Sequence, residues 1–113
     1  MKFQKKAVPA YEAGSRNVYR DLGYPDAEEM LVKAQLASKI SELITECAYT
    51  QSEAAKLLGL PQPKLSKLLR GQFRGISERK LMDCLTRLGS DVEIVVSRPA
   101  RHRKQGSISV VFA

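Results

Sequence analysis

Between residues 27 and 47, apolar side chains return every three or four positions: Leu31, Ala34, Leu36, Ala37, Ile40, Leu43, Ile44 and Cys47. That period places them on one face of a long amphipathic helix. Asp26 stands before it as an N-cap, and Glu28 and Glu29 occupy the first turn, where the helix dipole favours negative charge. A shorter unit follows. Ala54, Leu57 and Leu58 give an inner face to a helix capped by Thr50, and Glu53 completes a capping box. Gly59 lies just past its end, where a left-handed residue is usual. Leu65, Leu68 and Leu69 (i, i+3, i+4) give the next inner face, with Gly71 beyond. Leu60 precedes Pro61 and should be extended, and Pro63 disfavours a helical Gln62. This helix is therefore expected to start at Pro63, with Gln62 just outside. Ser77 caps a last helix, faced by Ile76, Leu81, Leu85 and Leu88 and stopped by Gly89.

After Gly89 the period changes. Residues 91–96 (Asp-Val-Glu-Ile-Val-Val) are β-branched and strand-like, and residues 107–112 alternate as a second strand candidate. A two-stranded ribbon is marginal in water, so these strands need a core behind them or a second copy of the chain beside them. Residues 97–105 form a basic loop holding Arg98, Arg101, Arg103 and Lys104. Residues 1–25 lack periodicity. Val18, Tyr19, Leu22 and Tyr24 are nonetheless too apolar for a pure solvent tail, so residues 17–24 are expected to pack on their own domain or on a partner.

The pair of short helices across Gly59 defines the domain. A small residue, Ala55, stands where another helix must come close, a glycine makes the turn, and the second helix sets leucines against Gln, Lys, Ser, Lys and Arg. That is the grammar of a helix-turn-helix, whose second helix enters the DNA major groove. Charge sharpens this reading. The 113-residue chain carries a net charge of +7, which favours a polyanionic partner. Residues 50–80 hold seven basic side chains against two acidic ones, whereas residues 26–47 hold five acidic against two basic. Most of the positive charge thus lies on the helix-turn-helix, and the acidic helix should face away from DNA.

Base edges supply specificity and phosphates supply position and much of the affinity. Gln62, Pro63, Lys64, Ser66 and Lys67 are the candidate base-contacting residues. Gln can pair with adenine, Lys with guanine, and Pro63 can touch a thymine methyl. Thr50, Gln51, Ser52, Arg70 and Arg74 flank the reading helix and suit phosphates.

The spacing Gln51-x3-Ala55-x3-Gly59, followed by Leu65 and Leu68, resembles the Cro-type (XRE) helix-turn-helix of phage repressors over residues 27–88. The resemblance implies a compact helical bundle and a DNA-binding regulator. Residues 14–29 (Gly-Ser-Arg-Asn-Val-Tyr-Arg-Asp-Leu-Gly-Tyr-Pro-Asp-Ala-Glu-Glu) and the turn Pro61-Gln62-Pro63-Lys64-Leu65-Ser66 are similar to HigA-type antitoxins. That likeness implies a homodimer that binds its own operator, represses transcription and neutralises a RelE/HigB-like toxin. Val18, Tyr19, Leu22 and Tyr24 are then the candidate toxin contacts. A stand-alone or phage-derived XRE-type repressor, with no toxin partner, is the alternative.

The expected fold is mainly α: a lambda-repressor-like helix-turn-helix bundle with a short C-terminal β element of two strands. Residues 1–25 form a partly ordered arm, residues 26–90 the DNA-binding domain, and residues 91–113 a candidate dimerisation element. No enzyme is expected, since His102 has no acid or base partner and no carboxylates cluster for a metal. Cys47 and Cys84 read as small buried hydrophobes in a reducing cytoplasm. Neither a cofactor, a metal nor a membrane is expected as partner: no apolar run approaches the ~20 residues of a span.

Overall fold

The computed structural model describes residues 17–98 and 105–113. Among them are five helices: α1 (Val18–Asp21), α2 (Ala27–Glu46), α3 (Gln51–Leu58), α4 (Gln62–Leu69) and α5 (Glu78–Arg87). The N-terminal arm up to residue 16 and the basic loop at residues 99–104, His102 included, lie outside the described residues. The chain falls into two compact units. One holds residues 17–32 with 107–113, and the other holds residues 33–98 with 105–106; α2 contributes to both.

In the first unit, Asn17 does two jobs. Its Oδ1 accepts from Arg20 N at 3.1 Å and caps α1, while its Nδ2 donates to Ala27 O at 3.0 Å. The asparagine is buried, and one side chain thus ties α1 to the first residue of α2. Gly23 closes α1 at φ +86°, and Tyr24 N returns to Tyr19 O at 3.0 Å. The two tyrosine rings lie 6.0 Å apart at 51°. Residues 17–24 are therefore ordered by local bonds and by the Asn17 tie to α2, while Val18, Leu22 and Tyr24 stay exposed. The C-terminal residues belong to this unit as well: Ile108 N donates to Glu28 Oε2 at 2.7 Å.

The second unit is the helical core. Leu36, Ala37, Ile40 and Ile44 from α2 are buried, as are Ala54, Ala55 and Leu58 from α3. Leu65 and Leu68 from α4, Leu81, Cys84 and Leu85 from α5, and Phe73 and Ile76 from the α4–α5 loop complete it. Helix α2 ends one residue before Cys47, and Ala48 takes the left-handed conformation at φ 59°. Ala48 N and Tyr49 N return to Thr45 O and Ile44 O. This turn carries Cys47 out to solvent, against the expectation that it is buried within the helix; Cys84 is buried as expected, and both cysteines are free thiols.

The expected C-terminal β element is corrected. Among the described residues neither 91–96 nor 107–112 forms a strand. The cause is the missing ladder partner: the two segments belong to different units, and the backbone of Ile108 bonds a glutamate side chain instead. Ile94, Val95 and Val96 are left 77%, 76% and 92% exposed. β-branched composition favours extended backbone but cannot supply the second row of hydrogen bonds.

Candidate nucleic-acid interface

The candidate interface consists of α3, its turn, α4 and the loop that follows. Thr50 N donates to Glu53 Oε1 at 2.8 Å, and Glu53 N donates to Thr50 Oγ1 at 3.1 Å, so the capping box forms. The N–H groups of Gln51 and Ser52 at the head of α3 stand outside the helical ladder. Together with the positive end of the helix dipole they suit a phosphate. Gln51 and Ser52 are exposed beside them.

Helix α3 ends at Gly59, with φ 68° and ψ 34°. Leu60 N bonds back to Ala55 O at 3.0 Å and Gly59 N to Lys56 O at 3.3 Å. A Cβ at Gly59 would meet Arg87 Nη1 at 3.7 Å, which is ordinary contact, so the backbone angle rather than crowding asks for glycine. Pro61 is the N-cap of α4 at φ −61°, ψ 141°. Gln62 is inside the helix rather than before it. Pro63 falls in the first turn, where its missing N–H is one of the groups the helix leaves unpaired in any case, so the local conflict resolves without breaking a bond.

On α4 the leucines and the polar residues separate by face. Leu65 and Leu68 are buried, whereas Gln62, Pro63, Lys64, Lys67 and Arg70 are exposed. Pro63, Lys67 and Arg70 (i, i+4, i+7) run along the side opposite the buried leucines. Ser66 is half-buried, and its Oγ accepts from Arg70 Nη1, so these two candidates are joined. Gly71 ends the helix at φ +87°, and Gln72 N returns to Lys67 O at 2.8 Å. In the loop beyond, Arg74 is exposed between buried Phe73 and Ile76, and Ile76 N donates to Phe73 O at 3.0 Å.

Three basic residues take parts that sequence reasoning missed. Lys80, counted there with the basic surface, donates through Nζ to Leu58 O at 3.2 Å. Arg87 Nη1 donates to Leu57 O, also at 3.2 Å. Both cations on α5 thus meet the carbonyl end of α3, where the helix dipole favours them. Asp83 lies between them: its Oδ2 is 3.0 Å from Arg87 Nε and 3.5 Å from Lys80 Nζ. The hydrogen bond from Arg87, aided by Lys80, holds the Asp83 carboxyl below its ordinary range. The spacing Lys80-x2-Asp83-x3-Arg87 carried the signal for this pair of bridges. The third residue, Lys33, is buried and donates through Nζ to Arg74 O at 2.9 Å.

Of the candidate toxin contacts, Val18, Leu22 and Tyr24 are exposed and Tyr19 is half-buried. Among the described residues, no three His, Cys, Asp or Glu side chains gather as a metal cluster, and no helix is long and apolar enough to cross a membrane.

The geometry has counterparts. The family of proteins described as "Helix-turn-helix domain" matches residues 18–97. A solved chain described as "Putative XRE Family Transcriptional Regulator" superposes with a TM-score of 0.73 and is 42% identical, the match covering 79% of this chain and 100% of that one. No curated protein matches the chain. A domain-wide family match and this close structural relative lead to the same result: the chain belongs to the helix-turn-helix family, of the XRE type.

Proposed function

We propose that the chain is a sequence-specific DNA-binding transcriptional regulator that sets α4 into the major groove. The observation that carries the reading is the face of α4 with Pro63, Lys67 and Arg70 in line, opposite buried Leu65 and Leu68. Gln62, Pro63, Lys64, Ser66 and Lys67 are the base readers. Thr50, Gln51 and Ser52 at the head of α3, with Arg70 and Arg74 at the far end of α4, hold the phosphates. The related XRE chain, described as a transcriptional regulator, supports the same role.

The test separates the two classes of contact. Lys67→Ala is expected to weaken binding to the preferred sequence by ~1–3 kcal/mol while leaving random DNA nearly unchanged. Arg74→Ala is expected to weaken both alike. Equal losses on both DNAs for Lys67→Ala would contradict its role as a base reader.

The chain works, in this reading, as a homodimer and as an antitoxin that represses its own operon and neutralises a RelE/HigB-like toxin. The antitoxin-like residues 14–29 support that role, as do the exposed Val18, Leu22 and Tyr24 on and after α1. Residues 26–90 are the DNA-binding domain, and the exposed apolar residues of 91–113 supply dimer contacts. Leu22→Asp, at an exposed position, should abolish neutralisation of a toxin encoded beside it and leave DNA binding intact. Neutralisation that survives Leu22→Asp and Tyr24→Ala together would contradict the toxin surface. A stand-alone repressor shares the whole DNA face and needs no toxin beside it, so an operon without a RelE-like neighbour decides for that alternative.

A further inference from the structure

Lysine is among the residues least often fully buried. Lys33 is 4% exposed, and its Nζ reaches across 41 positions of sequence to the carbonyl oxygen of Arg74 at 2.9 Å. Burying a polar head costs free energy unless it is hydrogen-bonded, and a methionine would fill the same space without that cost. Packing alone therefore does not account for a lysine here. Its bond falls on the loop between α4 and α5, at the residue proposed to hold a phosphate.

Three restraints converge on that residue. Phe73 and Ile76, each 4% exposed, anchor the loop on either side of it. Ile76 N closes the turn on Phe73 O at 3.0 Å. Lys33 then holds the Arg74 carbonyl inward while the Arg74 residue itself is exposed. The turn and its two anchors fix the ends; the lysine fixes the peptide between them.

We propose that Lys33 is a positioning residue for DNA binding: through its hydrogen bond to the Arg74 carbonyl it presets the α4–α5 loop, so that the Arg74 guanidinium meets a backbone phosphate without first being ordered. The idea rests on reading Arg74 as a phosphate contact. Preorganisation acts by removing the ordering cost from the binding step. Lys33 itself never touches DNA.

The test is a double-mutant cycle on the full chain, with binding to a duplex followed by fluorescence anisotropy over a range of salt. Arg74→Ala should lower the slope of log affinity against log salt by about 1, as the loss of one phosphate contact does. Lys33→Met should lower the affinity at each salt concentration by part of the loss that Arg74→Ala causes, with little change in slope, since the contact still forms but must be ordered on binding. Adding Lys33→Met to Arg74→Ala should change nothing further. Lys33→Arg, which keeps a donor, should restore most of the affinity. If Lys33→Met melts earlier yet keeps the wild-type affinity, or if its loss adds in full to that of Arg74→Ala, the residue is structural or acts through its charge, and the proposal fails. Should Arg74→Ala itself leave the slope unchanged, the phosphate assignment fails instead, a separate outcome. Amide exchange on the unaltered protein guards against a variant that does not fold: the Ile76 amide, which donates to Phe73 O at 3.0 Å, should be as protected as the last turn of α4. Exchange of that amide about tenfold faster would overturn the preset loop.

Discussion

Thr50 caps α3 and is a proposed phosphate contact, so Thr50→Ala is an informative perturbation. The substitution removes Oγ1 and with it the 3.1 Å bond from Glu53 N. The reciprocal bond, from Thr50 N to Glu53 Oε1 at 2.8 Å, uses the backbone and survives. Both bonds are exposed to solvent, so water replaces the lost acceptor and no buried group is orphaned. The expected cost is that of an ordinary N-cap, about 1 kcal/mol. For a domain of this size that lowers the melting temperature by about 4–8 °C. A domain stable by about 5 kcal/mol or more stays folded after such a loss, so any change in DNA affinity at 25 °C reports the contact and not unfolding. Thermal melts followed by circular dichroism check the first effect, and anisotropy with duplex DNA checks the second. Thr50→Ser keeps the oxygen and should melt within a few tenths of a kcal/mol of wild type. If Thr50→Ala melts with the wild type, or Thr50→Ser falls as far as Thr50→Ala, the capping box does not hold α3.

Other outcomes follow from the same structure. Ala48 pays for a left-handed φ of 59°, a cost of roughly 1–2 kcal/mol, set against roughly 0.5–1 kcal/mol of extra chain entropy for glycine, so Ala48→Gly should stabilise by up to about 1 kcal/mol in urea melts. Asp83 has a lowered folded pKa, so its contribution is present above the ordinary carboxylate range and lost as pH falls through the lowered value. The difference in urea midpoint between wild type and Asp83→Asn should therefore be largest near neutral pH and vanish in strong acid; a difference that persists there would refute the clamp. Cys47 is exposed while burial pushes the Cys84 thiol up, so a thiol reagent near pH 8 should label Cys47 in the native chain and Cys84 only after unfolding.

Much of the helical frame was legible because it is written in local chemistry. Thr50 with Glu53, Ser77 before α5, and Gly59, Gly71 and Gly89 after three helices each satisfy a nearby backbone group, and each is found as expected. The start of α4 was harder, because the restriction before proline and the tolerance of proline in a first turn point in opposite directions. What sequence reading missed are long-range partners. Lys33 shares a helical face with Leu36, Ala37 and Ile40, all buried, so its position marked it as an inward residue, but the carbonyl it meets lies 41 positions away. Lys80 and Arg87 likewise look like surface charge until α3 brings its carbonyl end to them. The strand expectation failed for the opposite reason: local composition was favourable, and among the described residues the two segments do not pair.

The most direct test of the central claim is a hydroxyl-radical footprint of the chain on the promoter region of its own operon. A dimer that sets α4 into successive major grooves should protect two half-sites related by two-fold symmetry, about 34–36 Å apart. Protection should disappear with Lys67→Ala at a protein concentration that still footprints with the wild type. Uniform protection along the fragment, or a footprint that survives Lys67→Ala unchanged, would contradict the reading of α4 as the sequence-specific element.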